Sequence, residues 1–346
     1  MKRDSLILPT ILGLTFFLNA CSKDEKSIHF PITEYLSVSE VRSTESVFFR
    51  YSFRIRLNDS LLYIADLHAT DYYCHQFEYP SMKHRQSFAR KGNGSGEFMD
   101  AENIRIDSNG DCWLLDANNA KMVCFQSSPS DSLVTEFKLD SCLVRTLDFD
   151  LYQDSLFIVP DYTGEYRFHI LCSDGVIKES RGSIPVRKRD ADIPNAAYAQ
   201  AWRSFFDYNS ENGIMAIATQ LGEVIEIYQV EKDSLINVIC GNMGEPQFEY
   251  KRGYAVPIGI MGYSDVYVGK ENIYALFWGH TFKDIAREIV TVEGGNQIQV
   301  FDMEGNPVKQ YMLDRYITGF VIDEKNEIIL GLDVNSDQPV IELKVK

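Results

Sequence analysis

A four-strand unit recurs six times along this chain and leaves little choice of fold. Each unit reads as a short apolar strand, a polar turn, a second apolar strand often ending in Asp, an alternating third strand, a turn and a fourth strand. The first occupies 52–57 (SFRIRL), 61–66 (LLYIAD), 72–79 (YYCHQFEY) and 85–90 (RQSFAR). The second occupies 103–107, 111–116, 121–126 and 132–138; the third occupies 145–150, 154–160, 166–172 and 175–180. A fourth opens near Arg203, with strands around 212–219, 222–230 and 234–240. A fifth opens near Ile260, with strands around 271–278, 296–302 and 307–313. The sixth opens near Ile317, continues at 326–332 and 339–345, and has only three strands. Starts at 52, 103, 145, 203, 260 and 317 give steps of 51, 42, 58, 57 and 57 residues. That is the spacing of four-stranded propeller blades with their loops.

The expected fold is therefore all-β: a six-bladed β-propeller of four-stranded antiparallel blades. The strand-like N-terminal piece, Ile28 to Ser39, is expected to supply the outer strand that the sixth blade lacks. That closes the ring and removes exposed edges. Only Ala196 to Phe206 (AAYAQAWRSFF) reads as helical. Strands do not alternate with helices, so a parallel sheet is not expected. A pair of β-sandwiches fits the regular period less well. With 45% apolar residues, Tyr 19 and Phe 21, the chain can fill such a core. Its 34 Lys+Arg against 50 Asp+Glu give a net charge of −16. Nucleic acid, or an anionic membrane surface, would repel it as a main partner.

The first twenty residues read as an address. Lys2 and Arg3 precede an apolar stretch, Leu6 to Leu18, broken by Pro9, Thr10, Gly13 and Thr15. It is too short and too broken for a spanning helix. It ends in Leu18-Asn19-Ala20-Cys21, which resembles the lipobox of bacterial lipoproteins. The resemblance implies that the Cys21 thiol carries diacylglycerol and becomes the mature N-terminus, so the membrane is met through that lipid. Residues 1–20 are then a signal peptide, 21–27 a tether and 28–346 the propeller. Ser22 does not resemble the Asp that retains some lipoproteins in the inner membrane. Asp24-Glu25 resembles the surface-export signal of certain Gram-negative lipoproteins, and it equally suits a solvated tether. The expected location is the outer membrane, lipid-anchored, with surface exposure open.

A second resemblance concerns the fold. GNGSGEF (Gly92–Phe98) is similar to the glycine-rich blade junction of NHL- and TolB-like six-bladed propellers, with Ser95 where Pro is common. IQVFDMEGNPVKQYMLD (298–314) and IYALFWG (273–279) resemble the C-terminal blades of TolB-like propeller lipoproteins of Gram-negative bacteria. This implies fold and address rather than a reaction.

Six cysteines remain after Cys21, at 74, 112, 124, 142, 172 and 240, with no CxxC and no disulfide framework. Most are expected to be buried small hydrophobes. If Asp116 pairs with Lys121, Cys124 faces Trp113, and Cys112 and Cys124 point to opposite faces.

In a propeller the fourth-to-first and second-to-third connections share one face. Sorted this way, the long connections (91–102, 181–202, 241–259 and 279–295) all fall on that face, and the other carries tight turns. Long loops in a compact domain are usually functional or mobile, so the binding face is expected there. Its candidate residues are Asp66, His68, Asp71 and Tyr72 from blade one, Asp116 and Asn118 from blade two, and Asp161 and Tyr162 from blade three. Trp202, Tyr254, Trp278, His280 and Arg287 could add stacking and hydrogen bonds to a sugar or peptide. Asp66, Asp116 and Asp161 recur at one blade position. They could cap the following turn, or form a carboxylate ring around the funnel that takes a cation or hydroxylated ligand.

No metal site and no cofactor are expected. HExxH, GxxxxGK[ST] and EF-hand patterns are absent from the sequence, and the six His show no metal-ligand spacing. Asp-Ser-Leu recurs at 59–61, 131–133, 154–156 and 233–235. It resembles an O-glycan acceptor of exported bacterial proteins and also suits a tight turn. The functional expectation is an envelope lipoprotein that binds a glycan, peptide or envelope-protein partner through the long-loop face. The alternatives are a lactonase-, lyase- or glycosidase-like propeller enzyme and a structural subunit of an envelope complex.

Overall fold

The structure, a computed structural model, describes residues 28–345 apart from 45–46, 127–132, 144 and 154. The residues read above as a signal peptide, Cys21 and tether lie outside these residues. Six four-stranded antiparallel blades surround a central channel. Blade one is Ser52–Asn58, Leu61–Asp66, Tyr72–Glu78 and Lys83–Arg90; blade two is Asn103–Ile106, Cys112–Asp116, Lys121–Phe125 and Leu133–Lys138. Blade three is Asp150–Tyr152, Leu156–Pro160, Phe168–Leu171 and Ile177–Arg181; blade four is Ser204–Asn209, Ile214–Thr219, Val224–Gln229 and Ser234–Cys240. Blade five is Tyr263–Val268, Asn272–Phe277, Gly295–Asp302 and Pro307–Ile317; blade six starts with Phe320–Asp323, Ile328–Leu332 and Val340–Lys344.

The N-terminal segment closes the ring, but it divides the work differently from the expected single piece 28–39. Val38–Arg42 runs antiparallel to Val340–Lys344 and completes blade six. Thr33–Leu36 instead joins blade five as a fifth strand, parallel to Pro307–Ile317. That outer strand is 11 residues long, and its ladder would otherwise be an open edge. Side chains fix the added strand: Gln310 Nε2 donates to Thr33 Oγ1 (2.8 Å), and Lys309 Nζ lies 3.2 Å from Glu34 Oε1.

Apolar side chains from successive blades meet to form the core. Between blades one and two, Tyr63, Phe88, Phe98, Leu114 and Phe125 pack together. Between three and four, Ile158, Phe168, Phe206 and Ile217 do so. Each such side chain is worth about 1.5–3 kcal/mol on burial. The GNGSGEF junction seats Phe98, which is fully buried. Gly92 N–H donates to Phe98 O (2.9 Å), and Phe98 N–H donates to Arg90 O (2.8 Å). A Cβ on Gly92 would come within 2.1 Å of Glu97 Oε2, the oxygen that accepts from Gly94 N–H, so a larger residue there would displace the Glu97 carboxylate from that bond.

In blade two Asp116 pairs with Lys121 and Trp113 with Cys124, as expected. The cysteines divide evenly rather than being mostly buried. Cys74, Cys112 and Cys124 are buried, Cys172 and Cys240 are half-buried and Cys142 is exposed. The last three sit at a strand end or in turns. The helical expectation holds only for Asn195–Ala201, because Phe206 belongs to the inner strand of blade four. Of the Asp-Ser-Leu sites, Asp59 and Asp233 take left-handed φ of 51° and 46°, which short polar side chains tolerate in tight turns. Asp131, Ser132 and Asp154 of the other two lie outside the described residues.

Candidate functional site

Inner strands line a propeller's channel, and here they carry charge at period-two spacing. Arg54 and Arg56 come from blade one, Arg105 from blade two, Asp148 and Asp150 from the start of blade three, Asp207 from blade four and Asp265 from blade five. These groups are largely buried and plug the channel with an ion network. Arg105 lies 2.9 Å from Asp150, 3.8 Å from Asp148 and 3.9 Å from Asp207. Arg54 lies 3.8 Å from Asp265 and packs over Phe53 and Phe205, its Cζ 3.8 and 4.3 Å from their ring centroids. The carboxylates also tie blade to blade. Asp148 accepts from Phe206 N–H, Asp150 from Tyr208 N–H, Asp207 from Val268 N–H and Asp265 from Phe320 N–H.

Burial works against the Arg105 charge, but Asp150, Asp148 and Asp207 together hold it well above its usual pKa. Burial, and then the neighbouring Asp150, push Asp207 up to about 7. The network therefore keeps a proton near neutrality.

Above the plug, on the long-loop face, the channel mouth opens into a cavity of about 260 Å³. Inner-strand starts supply Tyr51, Phe53, Arg54, Glu102, Arg145, Arg203, Phe205 and Ser264; the second-to-third connection of blade five supplies Trp278, Glu293 and Gly294. Three buried polar atoms of these residues have no hydrogen-bond partner among the described residues: Arg54 Nη2, Ser264 Oγ and Trp278 Nε1. Tyr51 hydrogen-bonds Glu293, and burial with this bond pushes its hydroxyl far up. Burial, then the charge of Asp100 and a hydrogen bond to it, push Glu102 up to about 7, against Arg203 and Arg145. A second cleft, lined by Arg50, His68, Tyr73 and Lys91, adjoins the cavity and shares Leu67 and Glu102 with it.

The insertion 279–295 builds one wall of the mouth. Thr281 caps the short helix Phe282–Ala286, accepting from Asp284 N–H. Glu293 N–H then donates to Asn335 Oδ1 in blade six (3.0 Å). Gly294 has φ 96°, and a Cβ there would come within 2.2 Å of Ile317 O. Only glycine lets the chain turn into Gly295 this close to the next strand.

The candidates read from sequence scatter over this face. Trp278 lines the cavity, His280 stacks edge-on against it (5.9 Å), and His68 lines the adjoining cleft. Tyr162 has a buried hydroxyl without a hydrogen-bond partner among the described residues. The three recurring aspartates do not form a ring around the funnel, because each is engaged by backbone N–H groups of its own or a neighbouring connection. Asp66 accepts from Arg50, Tyr51 and His68 N–H. Asp116 accepts from Met99 and Asn119 N–H. Asp161 accepts from Thr163 and Tyr166 N–H. Burial opposes the Asp161 charge, but these bonds and His169 hold it well below the carboxylate range.

Asp71 accepts from Thr70 Oγ1, and Asn118 Nδ2 donates to Asp100. Trp202 is buried among Tyr198, Ala201 and Val224, so it is core rather than a stacking surface. Tyr72, Tyr254 and Arg287 are exposed away from the cavity: Tyr72 in the third strand of blade one, Tyr254 on the hairpin Phe248–Lys251/Tyr254–Pro257 and Arg287 after the short helix.

The cavity residues that sequence reasoning missed are Arg54, Glu102, Arg145, Arg203, Ser264 and Glu293. One signal was available: Arg54 and Arg56, with Asp148 and Asp150, alternate with large apolar residues in strands that otherwise read as core. On the opposite face, ligand atoms of Asp107, Asp111 and Cys124 lie within 4.8 Å of one another. Asp107 is already used, accepting from Asn109 and Asp111 N–H and from Trp113 Nε1. Burial, then the two aspartates, push the Cys124 thiol up to about 12, so this cluster reads as a turn cap.

The family described as TolB-like 6-blade propeller-like matches residues 33–325, most of the chain. The chain belongs to this TolB-like family. Solved structures agree on the fold. A protein from Bacteroides fragilis described as exported is 11% identical, with TM-score 0.54 over 91% of this chain and 99% of its own. A member of the DUF4221 family from Bacteroides vulgatus is 8% identical, with TM-score 0.59 over 90% and 97%. No curated protein matches the sequence. At such identities the TolB-like propeller is shared as a fold, and the cavity residues have to be argued on their own chemistry.

Proposed function

We propose that this TolB-like propeller is an exported, lipid-anchored binding protein whose ligand sits in the channel-mouth cavity of the long-loop face. The observation that carries the reading is the convergence of Arg54 Nη2, Ser264 Oγ and Trp278 Nε1, buried and unpartnered, beside the rings of Tyr51, Phe53 and Phe205. Buried donors without partners are costly, and a ligand that bonds them recovers that cost. The volume lies just under the usual range for small-molecule sites of about 300–1,000 Å³, which suits one sugar or amino-acid unit. Export is supported by the lipobox-like Cys21 and by the description of the B. fragilis neighbour. Calorimetric screening of the mature domain against monosaccharides, sugar acids, amino acids and dipeptides tests this. Trp278→Ala is expected to weaken any hit at least tenfold. A hit unmoved by Trp278→Ala, or by trimming 279–295, would place binding elsewhere.

A catalytic reading has one specific observation behind it. Glu102 is pushed up to about 7 beside Arg145 and Arg203, the range in which a carboxyl serves as general acid or base. Turnover of a panel of glycosides and lactones, lost in Glu102→Gln, would favour it over binding alone.

A further inference from the structure

Building on the binding reading, we propose that the channel-mouth cavity selects an organic anion, a carboxylate- or sulfate-bearing ring of about monosaccharide size. The argument is a balance of donors and acceptors. The acids of the cavity are already engaged. Asp148 accepts from Phe149 and Phe206 N–H and from Asn103 Nδ2. Glu293 is bonded to Tyr51, and Glu102 to Asp100.

The groups left over are donors, apart from the Ser264 hydroxyl, which can both donate and accept. Arg145 has no hydrogen bond and no ion pair within 4 Å among the described residues. Arg203 gives only its Nε, to the neutral Gln220 Oε1 (2.8 Å). At the inner end Arg54, 1% exposed, keeps Nη2 unpartnered, and Trp278 Nε1 is likewise unpartnered. Arginine and the indole N–H cannot accept, so a neutral sugar, which needs acceptors as well as donors, would satisfy this cavity poorly. A carboxylate or sulfate is all acceptor, and its oxygens match the guanidinium fork. The ring of such a ligand has Trp278 and Phe205 for faces.

The whole-chain charge of −16 disfavours approach of an anion, so selectivity comes from these local donors rather than from steering.

Calorimetric titration of the mature domain with glucuronate, glucose, benzoate and benzamide tests the inference. Glucuronate is expected to bind at least tenfold more tightly than glucose, and benzoate more tightly than benzamide. Arg145→Ala and Arg203→Ala, both at exposed positions, should each remove most of that preference, and Arg145→Lys should restore it only in part. Equal binding of the neutral and acidic members, lost in Trp278→Ala, would overturn anion selectivity and leave the binding reading standing. A preference for anions that survives both arginine replacements would overturn the assignment of these residues. No binding by any probe to the folded wild type would overturn both.

Discussion

Arg105 faces three aspartates from two other blades, so a single side chain offsets much of the acidic charge in this part of the channel plug. Removing one partner of a buried pair leaves the other desolvated and uncompensated, typically at 3–5 kcal/mol. Arg105→Met is expected to lower the unfolding free energy by about that much, read from urea denaturation. A change under about 1 kcal/mol would mean that water reaches the network. Asp207 has the opposite sensitivity. Its folded pKa, about 7, lies above the unfolded value of about 3.9. Between those values the folded state holds a proton that the unfolded chain has lost. Stability from this group therefore falls as pH rises from about 4 to about 7 and levels off above. One proton corresponds to a slope of about 1.4 kcal/mol per pH unit. Asp207→Asn should flatten the stability profile in that window, and an unchanged profile would assign the proton to another group. Glu102 titrates in the same range, so Glu102→Gln is the necessary companion measurement.

At the scale of elements, the blades were legible because their inner, second and third strands carry apolar runs bounded by Asn, Asp and Gly turns. Blade one was placed to within a residue or two at almost every strand end. Blade three was misread at its start. Residues 145–149 carry strand-like apolar spacing, but the strand begins only at Asp150, and Arg145 sits in the cavity with a left-handed φ of 44°. The N-terminal piece was misplaced for a related reason. Both its halves have strand character, and only the edges they meet distinguish them. Their roles differ: Val38–Arg42 seals the last blade, whereas Thr33–Leu36 covers the outer edge of blade five. A chain beginning at Val38 is expected to unfold cooperatively with a small loss of stability. One beginning at Thr44 opens the ring between its ends and should lose clearly more. Equal losses in urea titrations would show that closure contributes little.

For the whole molecule, one face carries the long connections and the other compact turns. Two long connections brace each other there, with Tyr198 edge-on to Phe248 (5.5 Å) and Gln200 Oε1 accepting from Ala255 N–H. If the lipid on Cys21 is the membrane link, Cys21→Ser should move the protein from the membrane fraction to the soluble one without changing its thermal midpoint. Retention in the membrane fraction would point to another anchor.

Period and turn chemistry are local properties of the chain, so the sequence determined the number of blades, their order and the loops that share a face. Hydrophobic alternation says which side of a strand is buried, and once Asp116 pairs with Lys121 it places Cys124 opposite Trp113, as the structure has it. The cavity is a different matter. Arg54, Glu102, Arg145, Arg203, Ser264, Trp278 and Glu293 come from five blades and lie up to 239 positions apart. Whether a carboxylate faces the funnel or bonds its own loop depends on which backbone N–H groups lie within reach. Asp66, Asp116 and Asp161 were drawn into their loops by such groups, and only closure of the ring left the arginines facing the channel mouth.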